Sequence, residues 1–154
     1  MNIFNLLLRK NEIVYLNEDE NVFDALKIMK ISGYTAVPVI SRDGTYAGTV
    51  SEGDFLWRLL EENVSDAGYM RVRDLMAEER NPSVDVSVGV DRLIEMSMNQ
   101  NFIPVVDDKK TFIGIITRSS IINGLCEDGK KIGSYACGRY LIDYIANNSK
   151  VNIE

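Results

Sequence analysis

The sequence predicts a mixed α/β (α+β) fold in which two βαββα units pack through their sheets with pseudo-twofold symmetry. Three observations lead to this prediction. The segment 38–51 repeats as 104–117 without a gap, so that Pro38 corresponds to Pro104. Each copy carries the same order of strand and helix patterns. A single copy is too small to bury an adequate core alone, so we expect the two copies to pack together.

The spacing of apolar residues predicts the elements of each copy. Val22, Leu26 and Met29 recur at the spacing of one helix face, and the second copy repeats this pattern from Val90. Two apolar strands joined by a polar turn follow each helix, which predicts a β-hairpin. The other predicted elements are first strands at 14–16 and 84–86, hairpin strands at 37–40, 46–50, 103–106 and 112–116, and final helices at 55–60 and 121–125.

This pattern divides the chain into three segments. We expect the first repeat at residues 1–66, the second at 67–128, and a C-terminal helical extension at 129–154. Residues 61–71 join the repeats. The extension contains an apolar stripe made of the pairs Tyr140-Leu141 and Tyr144-Ile145. This stripe could cap the core or contact a second chain.

Composition and charge exclude several classes of function. The formal net charge of -6 argues against sequence-independent nucleic-acid binding, which needs clustered Lys and Arg. The apolar runs are far shorter than the roughly 20 residues of a membrane span, so we expect no membrane association and a cytoplasmic protein. Cys126 and Cys137 lack metal-ligand spacing, and we expect them to be reduced.

The same inventory predicts that the chain is not an enzyme and needs no metal or other cofactor. It contains no histidine, which is the commonest general base at neutral pH and a common metal ligand. It also lacks the complete phosphate-binding GxxxxGK[ST] motif and the dinucleotide-binding GxGxxG pattern. With no catalytic segment apparent, we expect any effector protein to be a separate chain.

A short motif follows each hairpin and carries a family resemblance. The first copy reads Gly48-Thr49-Val50-Ser51-Glu52-Gly53-Asp54, and the second reads Gly114-Ile115-Ile116-Thr117-Arg118-Ser119-Ser120. With the order of elements described above, these motifs resemble those of a tandem cystathionine-β-synthase (CBS) domain pair, also called a Bateman module. The resemblance covers roughly residues 6–125.

The resemblance implies a cleft between the two repeats with two pseudo-symmetric ligand sites. Such sites hold adenosine-containing effectors: AMP, ADP, ATP, S-adenosylmethionine or a cyclic dinucleotide such as cyclic di-AMP. It also implies a homodimer shaped as a flat disc.

Ser51 and Asp54 match the ribose-binding positions of this family. A carboxylate can accept hydrogen bonds from both ribose hydroxyls, and the start of a helix favours a phosphate. The alternative is an ordinary helix N-cap followed by an acidic first turn. In the second copy, Thr117 is retained but Ser120 replaces the aspartate, so ribose recognition there is in doubt. Arg118 is placed for a phosphate, or is a solvated surface arginine.

The resemblance places the adenine beside the strand that contains each proline. The residues it implicates are Tyr34, Thr35, Ala36, Val37 and Pro38 in the first copy, and Asn101, Phe102, Ile103 and Pro104 in the second. For Val37 and Ile103 the alternative is a purely core position. Trp57, on the final helix of the first copy, is either buried in the core or at a dimer contact.

Three functions remain open. The first is a regulatory module that binds an adenine nucleotide, changes shape and signals to a separate effector protein. The second is a narrower case, a cyclic di-AMP receptor, because Gly33 to Pro38 and Thr117-Arg118 resemble segments of stand-alone receptors in this family. The third is a structural or interaction module whose ligand sites have been lost. The unequal motifs predict one principal nucleoside site, at Ser51 and Asp54.

Overall fold

A computed structural model describes residues 2–62, 64–76 and 80–132. In chain order the elements are α1 (Ile3–Leu6), β1 (Leu7–Arg9), β2 (Leu16–Asn17), α2 (Val22–Ser32), β3 (Ala36–Ile40), β4 (Tyr46–Ser51), α3 (Glu52–Glu61), α4 (Val64–Ala67), β5 (Val84–Asp85), α5 (Val90–Asn99), β6 (Phe102–Val106), β7 (Phe112–Thr117) and α6 (Arg118–Ile132). Single turns of 3-10 helix lie at Lys10–Glu12 and Val72–Asp74. The predicted extension lies outside the described residues apart from the end of α6.

The predicted fold class is confirmed, because each repeat runs strand, helix, strand, strand, helix. The first sheet has the order β2-β3-β4 and the second has the order β1-β7-β6-β5. In both sheets the short first strand pairs parallel to the next strand, which then pairs antiparallel with its hairpin partner.

The ends of α2 show how the sequence sets an element. The Asn21 side chain accepts a hydrogen bond from the Phe23 amide at 2.9 Å and so caps the first turn. Gly33 takes the left-handed conformation, with φ of 71°, and its amide donates to the Met29 carbonyl. A glycine adopts this conformation at little cost, so the chain turns sharply and leads into β3.

The two repeats exchange short segments. β1 pairs antiparallel with β7, with Leu7 opposite Ile116, although it lies at the start of the first repeat in sequence. In the opposite direction, Val72 and Leu75 pack into the core of the first repeat, and the Val72 amide donates to the Glu20 carbonyl at 3.0 Å. The repeat boundaries drawn from the sequence remain a prediction, but the segment at the start of each repeat packs with the other one.

Each repeat has its own hydrophobic core. In the first, Leu16, Val39 and Phe55 are buried between the sheet and its helices. In the second, Ile103 and Ile121 occupy equivalent places. Burying apolar side chains on one face of each sheet provides most of the driving force for this arrangement.

The turns of the two hairpins contact each other. Thr45 and Thr111 form an antiparallel bridge, and the Phe112 amide donates to the Gly44 carbonyl at 2.9 Å. Beside this bridge the rings of Tyr46 and Phe112 stack, with centroids 6.1 Å apart. The repeats are therefore joined by backbone hydrogen bonds and an aromatic pair as well as by the exchanged segments.

Two sequence expectations are settled by the structure. Trp57 is 64% exposed, so the interpretation that buries it in the core is wrong. Cys126 is disulfide-bonded, so the expectation of a reduced pair is wrong for this residue, and its partner sulfur lies outside the described residues. Among the described helices, none has both the length and the apolar character needed to cross a bilayer.

Candidate functional site

A cavity of about 200 Å³ lies where the N-terminal segment and both repeats meet. The predicted binding residues that line it are Tyr34, Thr35, Ala36, Val37, Pro38, Asn101, Phe102 and Thr117. The remaining walls come from Leu8, Glu12, Ile13, Val14 and Ile115. Both repeats contribute the turn before their first hairpin strand, so the cavity belongs to the pair and to neither repeat alone.

Equivalent hydrogen bonds hold the two turns in place. The Glu52 amide donates to the Thr35 carbonyl at 2.9 Å, and the Arg118 amide donates to the Asn101 carbonyl at 2.9 Å. Each bond ties the turn to the first residue of the final helix of its repeat. The rim of the cavity is therefore fixed by backbone, while Tyr34 stays 54% exposed beside it.

The N-terminal wall was missed by sequence reasoning. Glu12 is the one charged residue among the lining residues, and its carboxylate accepts a hydrogen bond from the Arg9 amide at 2.8 Å. The available signal was the apolar run Leu6 to Leu8, which has no counterpart in a lone βαββα unit. Its pairing with β7 depends on a contact between residues more than a hundred positions apart in the chain, which local patterns do not reveal.

Ser51 and Asp54 do not line this cavity. The Asp54 Oδ2 accepts hydrogen bonds from the Ser51 amide and from the Ser51 hydroxyl, both at 2.7 Å. This is the arrangement of a capping box at the start of α3, so the N-cap interpretation is correct for the structure. A ligand role for the two residues remains a prediction, because one carboxylate can cap a helix and also bind.

Arg80 completes the cluster at the start of α3 and was also missed by sequence reasoning. Its guanidinium forms an ion pair with Asp54 Oδ2 and donates to the Ser51 hydroxyl at 3.1 Å. Asp54 is only 12% exposed, so this contact is partly shielded from water. An arginine in a polar segment near the start of the second repeat gives no local signal of this contact.

The second copy of the motif contains hydroxyl groups where the first has a carboxylate. Thr117 Oγ1 and Ser120 Oγ lie 2.5 Å apart, and the Ser120 amide donates to Thr117 Oγ1 at 3.1 Å. Only Thr117 reaches the cavity; Ser120 caps α6 behind it. Arg118 does not line the cavity. Its Nε donates to the Ser97 carbonyl at 2.7 Å, so Arg118 is not simply a solvated surface arginine.

Ile103 and Pro104 lie on the buried strand β6 and do not line the cavity. Ile103 has no exposed surface and belongs to the second core, as the core interpretation expected. Val37 is also buried, yet it lines the cavity as well, so the two interpretations offered for it are compatible. Among the described residues, no group of His, Cys, Asp and Glu is arranged to hold a metal ion.

Comparison with known families matches the CBS domain twice, to residues 7–61 and to residues 72–127. The chain belongs to the CBS domain family. The two matched CBS domains correspond to the two repeats of the fold. The cavity therefore lies between two CBS domains.

Solved CBS-pair structures resemble this chain in fold. CbpB in complex with c-di-AMP superposes with a TM-score of 0.76 and 20% identity, covering 85% of this chain and 90% of that one. CBSX2 in complex with AMP gives a TM-score of 0.68 and 24% identity, covering 82% and 96% of the two chains. A curated relative, an uncharacterised protein of Methanocaldococcus jannaschii, is 22% identical over 77% of this chain and 88% of its own length.

Proposed function

We propose that this CBS pair is a regulatory module that binds an adenine nucleotide between its repeats and signals to a separate effector protein. The observation that carries the proposal is the inter-repeat cavity, which is lined by the turns that the sequence implicates in adenine binding. The complexes of CbpB with c-di-AMP and of CBSX2 with AMP support the choice of ligand class.

The cavity suits the base of a nucleotide. Small-molecule pockets usually measure about 300–1,000 Å³, so the enclosed 200 Å³ fits a base, with ribose and phosphate extending towards its mouth. Phe102 and Val37 provide apolar walls, and the backbone of Ala36, at the start of β3, would read the ring nitrogens. Among the lining residues, the Thr117 hydroxyl and the Glu12 carboxylate are polar groups that could bond a ribose.

Ligand binding at this place would couple the repeats. The cavity takes walls from β3, from the start of β6 and from the N-terminal segment. A ligand that contacts all three favours one relative position of the repeats, and this population shift is what an effector protein would detect.

A melting-temperature panel tests the proposal. Full-length protein is heated with AMP, ADP, ATP, S-adenosylmethionine or cyclic di-AMP, with GMP as the control. At a concentration about 100 times Kd, a ligand stabilises the folded state by about 2.7 kcal/mol, which is an upward shift of several degrees. At least one adenosine compound should give this shift while GMP gives none. No shift with any of them would favour a structural or interaction module.

The same panel decides on the second candidate, a cyclic di-AMP receptor. The fold similarity to CbpB in its c-di-AMP complex favours this candidate, as does the resemblance of Gly33 to Pro38 and Thr117-Arg118 to segments of stand-alone receptors in this family. A receptor of this kind should be stabilised more by cyclic di-AMP than by AMP at equal concentration. Stronger stabilisation by AMP would instead favour a module that binds a mononucleotide.

We also propose that the module is a homodimer in the cytoplasm. The exposed apolar residues Leu56, Trp57 and Leu60 form a patch on α3, which is the kind of surface that a protein interface covers. Sedimentation equilibrium should give twice the mass of 17.4 kDa. A disulfide at Cys126 is unusual in the cytoplasm, and cell fractionation would decide the location.

A further inference from the structure

A second space, a groove of about 730 Å³, lies against β1. Successive side chains of a strand point to opposite faces, and here Leu8 lines the inter-repeat cavity whereas Leu7 and Arg9 line the groove. Among the described strands, β1 pairs only with β7 and is the last strand of its sheet. The groove therefore follows an open edge of the second sheet.

The groove combines aromatic walls with positive charge. The walls include Phe4, which is 62% exposed, and Tyr15. The charged residues are Arg9 and Lys10, and the Lys10 Nζ lies 5.1 Å from the centre of the Tyr15 ring. Within the described part of the chain, neither cation forms a salt bridge and no Asp or Glu lines the groove. Two such cations beside exposed apolar surface favour a partner that is both acidic and apolar.

We propose that this groove docks an extended acidic segment of the effector protein, which adds to β1 as a further strand. The inference rests on the proposed function for the existence of a separate effector protein. An open sheet edge binds an extended peptide through the backbone, while side-chain contacts beside the edge provide specificity. Arg9 and Lys10 select carboxylates, and Phe4 packs against an apolar side chain of the segment. Pairing with β1 of a second copy would instead bring the same cations together.

The segment that follows β1 connects the groove to the inter-repeat cavity. Ile13 lines both spaces. Glu12 lines the cavity, and its carboxylate accepts a hydrogen bond from the Arg9 amide at the end of β1, at 2.8 Å. A ligand in the cavity that contacts Leu8, Glu12 and Ile13 favours one position of the sheet edge. Ligand binding and docking are therefore linked, and each changes the affinity of the other by the same factor.

Peptide selection identifies the kind of segment that the groove accepts. The full-length wild-type protein, without nucleotide, selects binders from a library of random peptides displayed on phage. The selected peptides should be enriched in aspartate and glutamate, and their binding should weaken as the salt concentration rises, because charge pairs at an open surface are screened. Selection of no peptide, as expected if a second copy covers the groove, would overturn the inference. Selection of peptides without acidic residues would overturn it as well.

Two substitutions test whether the selected peptides bind in the groove. In calorimetric titrations with the synthetic peptides, Phe4→Ser and Lys10→Gln should each raise Kd about tenfold, because aromatic and cationic side chains often carry much of the binding energy of an interface. Tyr69→Ser and Lys30→Gln are the matched controls, since they make the same changes at exposed positions outside the groove. Both controls should bind as the wild type does. The same Kd in all five proteins would overturn the inference.

Methylation of the peptide backbone tests the addition of a strand. Because successive amides of a strand point to opposite edges, only every second amide of the peptide can pair with β1. Peptides that are N-methylated at odd positions and at even positions should therefore differ, with binding lost in one and retained in the other. Equal effects of the two patterns would contradict strand addition.

A titration with nucleotide present tests the link between groove and cavity. Saturation with the best adenosine compound of the melting panel should change the Kd of the peptide about fivefold or more. An unchanged Kd would overturn the link. Should no adenosine compound bind, the proposed function fails, while the peptide comparison without nucleotide still decides whether the groove is a docking surface.

Discussion

The Tyr46 hydroxyl is the clearest single-residue example of burial that sets a chemical property. It hydrogen-bonds Thr49 Oγ1 at 2.8 Å and donates to the Asn81 carbonyl, which connects the first hairpin to the beginning of the second repeat. Burial raises the pKa of Tyr46 to about 12, and the hydrogen bond with Thr49 only partly offsets this effect. The phenolate is disfavoured because it would lose its hydration inside the protein.

This pKa gives a pH-dependent prediction. The pKa of Tyr46 in the folded state lies above the ordinary value of 10.0. The neutral Tyr46 side chain therefore contributes fully to the stability of the folded state below pH 10, and this contribution is lost as the pH rises through about 12. Absorbance titration of the folded protein should show a tyrosine step near pH 12 that is absent in Tyr46→Phe. Tyr69→Phe, which changes an exposed tyrosine, should retain the step. A step that survives in Tyr46→Phe would assign it to another residue.

Binding residues could be predicted from sequence only where a local motif or the repeat marks them. Thr35 and Asn101 occupy equivalent positions in the two repeats, and both line the cavity. Glu12 and Arg80 lie in segments outside any motif, and their places at the cavity and beside Asp54 depend on the packing of distant parts of the chain. The N-cap alternative offered for Ser51 and Asp54 is correct for the structure, but the ion pair of Asp54 was not foreseeable.

At the scale of elements, the pairing of β1 with β7 is the feature that ties the N-terminal segment to the second repeat. Gly114 lies opposite Arg9 in this pair, and a Cβ at Gly114 would lie 2.1 Å from the Leu8 carbonyl oxygen. The equivalent glycine of the first repeat, Gly48, would place its Cβ 3.2 Å from the Met76 sulfur. A flexible methionine side chain can move away, whereas a paired strand cannot move without losing hydrogen bonds.

This difference predicts unequal effects of the same substitution. Gly48→Ala and Gly114→Ala share nearly the same φ, 156° and 159°, so any backbone cost is similar in both. Gly114→Ala should be less stable than Gly48→Ala by about 1–3 kcal/mol, the usual range for overpacking. Urea denaturation measures the difference, and hydrogen exchange should localise it to residues 7–9. Equal stability would mean that β1 contributes little to the second sheet.

The elements were largely predictable because each repeat alternates apolar patterns with clear turn signals. The hairpins and the helices α2, α3 and α5 appear where the sequence places them, within a few residues, whereas α6 continues to Ile132, beyond the predicted end at 125. β1 was not predicted, because three residues carry no usable periodicity and their strand conformation depends on β7. The helix Val64–Ala67, within the connection between the repeats, was likewise too short to be recognised.

At the scale of the whole molecule, the repeat is symmetric in fold and asymmetric in chemistry. One inter-repeat position is a mainly apolar cavity beside Thr117, and its counterpart is a charged corner that contains Asp54 and Arg80. The sequence pointed to a single principal site at Asp54. The structure instead presents the cavity on the other side, so the two positions differ in the chemistry of their side chains.

The central claim is that the inter-repeat cavity binds the nucleotide, and filling the cavity tests it most directly. Ala36→Leu adds three carbon atoms to the wall of a 200 Å³ space, whereas Ala47→Leu makes the same change at an exposed position on β4. Calorimetric titration with the best ligand of the melting panel should show about 100-fold weaker binding, or none, at the cavity of Ala36→Leu, a loss of about 2.7 kcal/mol or more. Ala47→Leu should bind as the wild type does. Wild-type affinity and stoichiometry in Ala36→Leu, with its melting temperature maintained, would contradict the account.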